Sequence, residues 1–187
     1  MNKQRALSLV KPHLTETRYL HTERVVETAL ELAARFHVDP EKAMLASAFH
    51  DYCKYRELED MRQIIAQHEQ LPNHLLDYHH ELWHGPVASI LVETELGIKD
   101  ADIQSAIYWH TTGHAKMTDL EKIVYLADYI EPGRVIPGID HVRRLAAYDL
   151  DHAVFLACKN AVGFLVSKSR KVYPETLNLY NDLVDQI

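Results

Sequence analysis

Cysteine, glycine, proline and positive charge are all scarce in this chain, and each scarcity excludes something. With only Cys53 and Cys158 there is no CxxC pair and no disulfide framework, which suits buried thiols in a reducing compartment. Six glycines and seven prolines in 187 residues leave no low-complexity, linker-like or collagenous stretch. The longest apolar runs, residues 153–158 and 161–166, are separated by Lys159 and Asn160. They fall far short of the roughly 18 residues a membrane helix needs, so no membrane contact is expected. The opening Met1-Asn2-Lys3-Gln4-Arg5 has no apolar signal core and no small-residue cleavage site, so the expected location is cytoplasmic. Twenty Lys+Arg against 27 Asp+Glu give a net charge of −7, which argues against direct nucleic-acid binding through the overall field. A polyanionic substrate would have to be met locally, by a metal or a few placed cations. What is abundant is histidine, at 13 residues, and hydrophobic side chains at 47%, enough for one buried core at this length.

Apolar residues recur at three and four positions almost throughout, the period of a helix with one buried face. Over residues 17–36 the stripe reads Leu20, Val25, Ala29, Leu32 and Phe36. Asp39-Pro40 supplies an N-cap followed by a first-position proline and opens a small-residue helix to His50. Further helices are expected over 57–67, 84–96 (stopped by Gly97), 100–110, 118–128 (opened by the capping-box spacing of Thr118 and Glu121), 140–148, 151–167 and from Pro174. Between Glu131 and Ile139, Pro132-Gly133 and Pro137-Gly138 predict a loop of fixed shape. No strand signal or repeat is present, so the expectation is an all-α fold: a single domain spanning residues 1–187, a helical bundle of about nine helices.

Several histidines fall where core residues belong. His21 lies four residues before Val25; His50, with Asp51 beside it, lies four after Ala46; His84 opens an apolar helix; His110 lies four after Ala106; Asp128 lies four after Val124. Burying so many ionisable groups without partners would cost several kcal/mol each, which one shared cation would offset. A buried polar network is the alternative reading. Imidazole with carboxylate suits Fe, Mn, Zn, Co or Ni better than Mg or Ca. His13, His37, His68, His74, His141 and His152 sit among charges or at turns and read as surface residues, whereas His79, His80 and His114 lie in irregular segments beside the candidate ligands.

In order, His21, His50-Asp51, His84, His110 and Asp128 resemble the H…HD…H…H…D signature of the HD-domain metal-dependent phosphohydrolases. Four stretches are similar, almost word for word, to the bacterial symmetrical bis(5′-nucleosyl)-tetraphosphatase subfamily: His50-Asp51-Tyr52-Cys53-Lys54, residues 82–88 around His84, Trp109-His110-Thr111-Thr112-Gly113, and residues 125–134 from Tyr125 through Asp128 to Arg134. The similarity runs on to Tyr173-Pro174-Glu175-Thr176, which resembles a His-Pro-x-Thr nucleotide-contacting element. Tyr173 stands where that element carries histidine, and His114 where the subfamily carries arginine.

The resemblance implies hydrolysis of diadenosine tetraphosphate to two ADP, with iron as cofactor in one or two ions and Mn, Co or Zn as substitutes. By position it implies that His21, His50, Asp51 and Asp128 hold the primary metal. His84 and His110 would complete a second metal's shell or contact phosphate, and with Asp51 and Lys54 they form the expected catalytic group. Lys54 is the candidate for holding phosphate or orienting water, and Arg134 for a bidentate phosphate contact. Thr111, Thr112 and Gly113 offer hydroxyls and backbone N–H groups to phosphate, with a helix C-cap as the alternative. Arg170, Lys171, Tyr173, Pro174 and Thr176 would lie near the nucleoside if residues 168–187 fold over the pocket. The partners expected are a nucleotide substrate and a nucleoside diphosphate product, and monomer and homodimer both stay open. Two rivals remain: another HD phosphoesterase, either a nucleoside monophosphate phosphatase or a cyclic dinucleotide phosphodiesterase, whose element His79-His80-Glu81 before Gly85-Pro86 faintly resembles without its Gly-Tyr-Pro portion, and a nucleotide-binding regulator without turnover.

Overall fold

The computed structural model describes residues 1–186 and is helical throughout, with ten α-helices and three short 3-10 turns among the described residues. Nine of the helices fall on the segments that the apolar period marks: α2 (Glu16–Phe36), α3 (Pro40–Phe49), α4 (Leu58–Gln67), α5 (His84–Leu96), α6 (Ala101–Trp109), α7 (Asp119–Ile130), α8 (Ile139–Leu145), α9 (Leu150–Ser167) and α10 (Pro174–Val184). The tenth is α1 (Lys3–Val10), capped by Asn2, whose side chain accepts from Arg5 N–H. The punctuation works as the residue types dictate. Asp39 accepts from the N–H groups of Glu41 and Lys42 ahead of Pro40, Thr118 and Glu121 close a reciprocal capping box, and Gly97 ends α5 in the left-handed region at φ 71°.

Helix α2 packs along α3 and α7, α3 and α7 both pack on α6, and α6 packs on α5. These five elements surround the histidines. One apolar core, running from Ala6 and Val10 of α1 to Leu179 and Leu183 of α10, lies among them. The stripe of α2 differs from expectation by one position. Leu20 is 46% exposed, while His21, Thr22, Val25, Val26, Ala29, Leu32 and Ala33 are buried. The buried face is thus set by His21 and its i+4, i+8 and i+11 neighbours, so an imidazole occupies the core end of the stripe.

By length and composition α9 alone among the described residues is apolar enough to cross a membrane, although the sequence runs, taken singly, did not suggest it. Its Ala153, Val154, Ala157 and Cys158 are buried against α7, α8 and α10, while Phe164 and Val166 toward its C-terminus are exposed. Helix α10 then closes over the segment after α6: Leu179 stands so close to Gly113 that any Cβ there would meet its Cδ2.

Candidate metal centre

Six residues from five helices converge. His21 sits in the second turn of α2, His50 and Asp51 follow α3 directly, His84 begins α5, His110 caps α6, and Asp128 lies in the last turn of α7. All but Asp128, which is partly exposed, are buried. Asp51 stands at the centre: its Oδ2 lies 3.1 Å from His50 Nε2 and its Oδ1 3.2 Å from His84 Nε2. His21 Nε2 is 2.9 Å and His50 Nε2 3.8 Å from Asp128 Oδ1, and the Nε2 atoms of His84 and His110 are 3.0 Å apart. Two sets of ligand atoms, His21/His50/Asp51 and Asp51/His84/His110, each fall within 4.8 Å of one another.

The far side of each ring explains this orientation. Nδ1 of His50, His84 and His110 lies 2.6, 2.7 and 2.7 Å from the carbonyl oxygens of Ser47, Glu81 and Ile107, each three residues earlier. Nδ1 of His21 lies 3.1 Å from the buried carboxylate of Glu131. These oxygens only accept, so each Nδ1 carries a proton and donates it, and where the imidazole is neutral its Nε2 is left with a lone pair aimed inward. His84 and His110 then face each other lone pair to lone pair, and His21 faces a carboxylate. Nε2 of His21 and of His50 and Oδ1 of Asp51 are buried without a hydrogen-bond partner. Such a cluster is repulsive unless a positive charge sits among the inward ends. Imidazole nitrogens with carboxylate oxygens, each imidazole steadied at its other nitrogen, are the donor set of a transition-metal or zinc site.

Burial would raise the Asp51 carboxyl, but His50 beside it holds it well below the ordinary carboxylate range; burial would lower the His50 imidazole, but Asp51 in turn raises it, so a proton and a metal ion compete for that ring. Burial likewise opposes ionisation of Asp128, and His21, Arg134 and His50 override it. Burial first, then the neighbouring His84 and His50, pushes His110 well down, and burial lowers His84 despite Asp51. Both carboxylates are therefore anionic, and His84 and His110 present neutral imidazoles, the forms that ligate metal.

Three cations ring the cluster. Arg18, one turn before His21 on α2, pairs through Nε with Asp51 and lies 3.9 Å from Asp128. Arg134 Nη2 donates to Asp128 Oδ1 at 2.7 Å and its Nε to the Asp128 carbonyl at 3.1 Å. Lys54, in the turn beyond Asp51, pairs with Glu81, whose carbonyl holds His84. Arg18 was not among the residues singled out from sequence, although its i, i+3 relation to His21 was a signal. Glu131 was also missed. It follows α7 directly, accepts from Arg24 Nε at 2.5 Å and from Gly133 N–H at 2.6 Å besides holding His21, and these donors carry its pKa down to about 2 against the effect of burial.

The other expected substrate residues divide. Thr111 Oγ1 is 3.0 Å from His110 Nε2, beside the centre. Thr112 is buried. Gly113, at φ 61°, donates its N–H to the Trp109 carbonyl, so it serves as the helix stop and that N–H is not free for phosphate. Arg170 N–H closes the end of α9 on the Leu165 carbonyl. Lys171 Nζ donates to the Asp77 carbonyl and stands 5.6 Å above the Tyr78 ring. Tyr173 is buried, stacked on His74 with its hydroxyl 3.2 Å from His74 Nε2; His74 is exposed, as expected from its place at a turn. Pro174 opens α10, and the Thr176 carbonyl accepts from Cys158 Sγ. These residues anchor the C-terminal segment to the Asn73–Asp77 turn and to α9.

The approach of α5 to α6 depends on Gly85. A Cβ there would lie 2.9 Å from the Tyr108 carbonyl oxygen and 3.1 Å from His110 Cε1. Gly85→Ala is expected to lose about 1–3 kcal/mol in urea unfolding and to weaken metal binding by moving the His110 ring. Unchanged unfolding and metal titration curves would show that the two helices have room to spare.

The HD domain family matches residues 18–133, the stretch that carries all six converging residues. A Bacillus subtilis protein named "Bis(5′-nucleosyl)-tetraphosphatase, symmetrical" is 52% identical over 184 residues, covering 98% of each chain. The Staphylococcus aureus protein of the same name is 46% identical over 97% of this chain and 95% of its own. A solved Clostridium acetobutylicum structure, described as a predicted HD superfamily hydrolase involved in NAD metabolism, superposes with TM-score 0.93 at 34% identity, over 100% of this chain and 99% of that one. An HD signature whose six members meet in space, inside full-length similarity of this degree, identifies the chain as a member of the HD-domain family and, within it, of the symmetrical bis(5′-nucleosyl)-tetraphosphatases.

Proposed function

We propose that the protein is a metal-dependent hydrolase that cleaves dinucleoside tetraphosphates, diadenosine tetraphosphate above all, symmetrically into two nucleoside diphosphates in the cytoplasm. The observation that carries the reading is the set of four buried imidazoles, each with Nδ1 engaged and Nε2 turned toward two anionic aspartates. His21, His50, Asp51 and Asp128 would hold a primary ion, and His84 and His110, with Asp51 shared, a second. Iron is our choice, with Mn, Co or Zn as substitutes. When bound, such an ion supplies the charge that polarises a phosphoryl oxygen and makes water acidic near neutral pH.

The chain's own part is to position and to neutralise. Arg18 and Arg134 flank the carboxylates and can turn their remaining N–H donors to phosphoryl oxygens, Arg134 in bidentate fashion. Lys54 offers a point charge on the His84 side, and the Thr111 hydroxyl a donor beside His110. A site with this much fixed positive charge stabilises the spread negative charge of phosphoryl transfer. The segment after α9 would close the nucleoside side of the pocket, a role consistent with Leu179 seated on Gly113. Attack on the second phosphorus from one nucleoside gives two diphosphates. Hydrolysis in isotopically labelled water is expected to yield ADP alone, with one label per bond cleaved. Labelled ATP or AMP would rule out symmetric cleavage, and turnover of mononucleotides in preference would favour the rival phosphatase reading.

A further inference from the structure

We propose that the groove between the Lys11–His13 turn and the loop after α3 receives the second nucleoside of the substrate, and that Tyr55 selects dinucleoside over mononucleoside polyphosphates there. The inference rests on the hydrolytic reading above and names a subsite for it. The groove encloses about 430 Å³ and is lined by His13, Thr15, Tyr52, Tyr55 and Arg56 among others, a volume in the range of small-molecule sites.

Its floor is fixed. Tyr52 is buried with its ring 4.4 Å from that of His13, its hydroxyl donates to Glu95 at 2.7 Å, and Arg56 Nη2 donates to the same carboxylate at 2.9 Å. Its wall is open: Tyr55 is 53% exposed, its hydroxyl 3.5 Å from Thr15 Oγ1. An exposed tyrosine face beside an exposed imidazole and a partly exposed guanidinium is a stacking platform for a planar base.

The groove also lies where a second nucleoside must go. Thr15 caps α2 by accepting from Arg18 N–H, so the groove begins one helical turn, ~5 Å, from the residue that pairs with Asp51. Asp51 turns Oδ2 toward Arg18 and His50 and Oδ1 toward His84. The groove therefore lies on the Arg18 side of the centre, and His84 with His110 lies across the carboxylate on the other. Symmetric cleavage needs a nucleoside diphosphate on each side of the attacked bond, and this arrangement provides two sides.

The test compares diadenosine tetraphosphate with adenosine 5′-tetraphosphate, which has the same phosphates and no second nucleoside. In the metal-replete enzyme Tyr55→Ala is expected to raise the KM ratio of the first to the second about tenfold, and Tyr55→Phe, which keeps the ring, to restore it. An unchanged ratio would overturn the proposal, as would an equal loss in both variants. Equilibrium binding of methylene-bridged, non-hydrolysable analogues of both compounds separates this from the parent reading. Wild-type protein that turns over neither substrate defeats the hydrolytic reading, while the ratio of analogue affinities in wild type and Tyr55→Ala still decides for or against the groove.

Discussion

Replacing Asp51 by alanine is expected to strip the protein of bound metal and to reduce hydrolysis by roughly 10³-fold or more, whereas His110→Ala should remove at most one ion and leave some activity. The asymmetry follows from position. Asp51 belongs to both ligand sets, His110 to one. Removing a buried carboxylate also leaves Arg18, His50 and His84 without their anion, a loss of about 3–5 kcal/mol. Asp51→Asn, which keeps the shape and discards the charge, therefore accompanies it and should lose metal while remaining folded. His152→Ala serves as the control, since His152 contacts Asp149 and lies outside the cluster, and should keep both metal and activity. Elemental analysis of anaerobically purified variants, alongside rates, reads all four. Full metal content in both Asp51 variants would remove the ligand assignment.

Glu131→Gln is expected to weaken metal binding by about 10–100-fold with the fold intact. The Glu131 carboxylate accepts from His21 Nδ1 and so settles which nitrogen of that ring faces inward. Glutamine is close in shape but can turn its amide toward the ring, allowing the tautomer whose proton sits on Nε2, where the ion would bind. Because the donors around Glu131 hold it near pKa about 2, below its ordinary value, its stabilising effect is present above the usual carboxylate range and lost only as pH falls toward 2. The affinity difference between wild type and variant should therefore stay constant from pH 6 to 8. A metal titration in which the two proteins coincide would reduce Glu131 to a packing and ion-pair role with Arg24.

Much of this was legible in the sequence because helical period carries both kinds of information. His50, His110 and Asp128 could be placed on inward faces by counting from Ala46, Ala106 and Val124, and their convergence then followed from the need to pair buried charge. Arg18 and Glu131 were harder. A charged residue in the first turn of a long helix usually faces solvent, and a glutamate at the start of a Pro-Gly loop reads as a turn residue; only tertiary packing turns them onto Asp51 and His21. The same limit explains Leu20, which an apolar count places inside and which His21 displaces. It explains the C-terminal segment as well, where Tyr173 and Thr176 are engaged by His74 and Cys158, contacts made across 99 and 18 residues of chain. Helix α1, eight residues long, is too short for its period to stand out in the sequence.

The central claim is a cation held among the inward nitrogens of His21, His50, His84 and His110, and anomalous X-ray scattering from crystals of active, anaerobically purified protein tests it most directly. The account predicts a peak within bonding distance of His50 Nε2, Asp51 and Asp128, with a second beside His84 and His110 when two ions are bound. Fully active crystals with no anomalous peak at this cluster would contradict it.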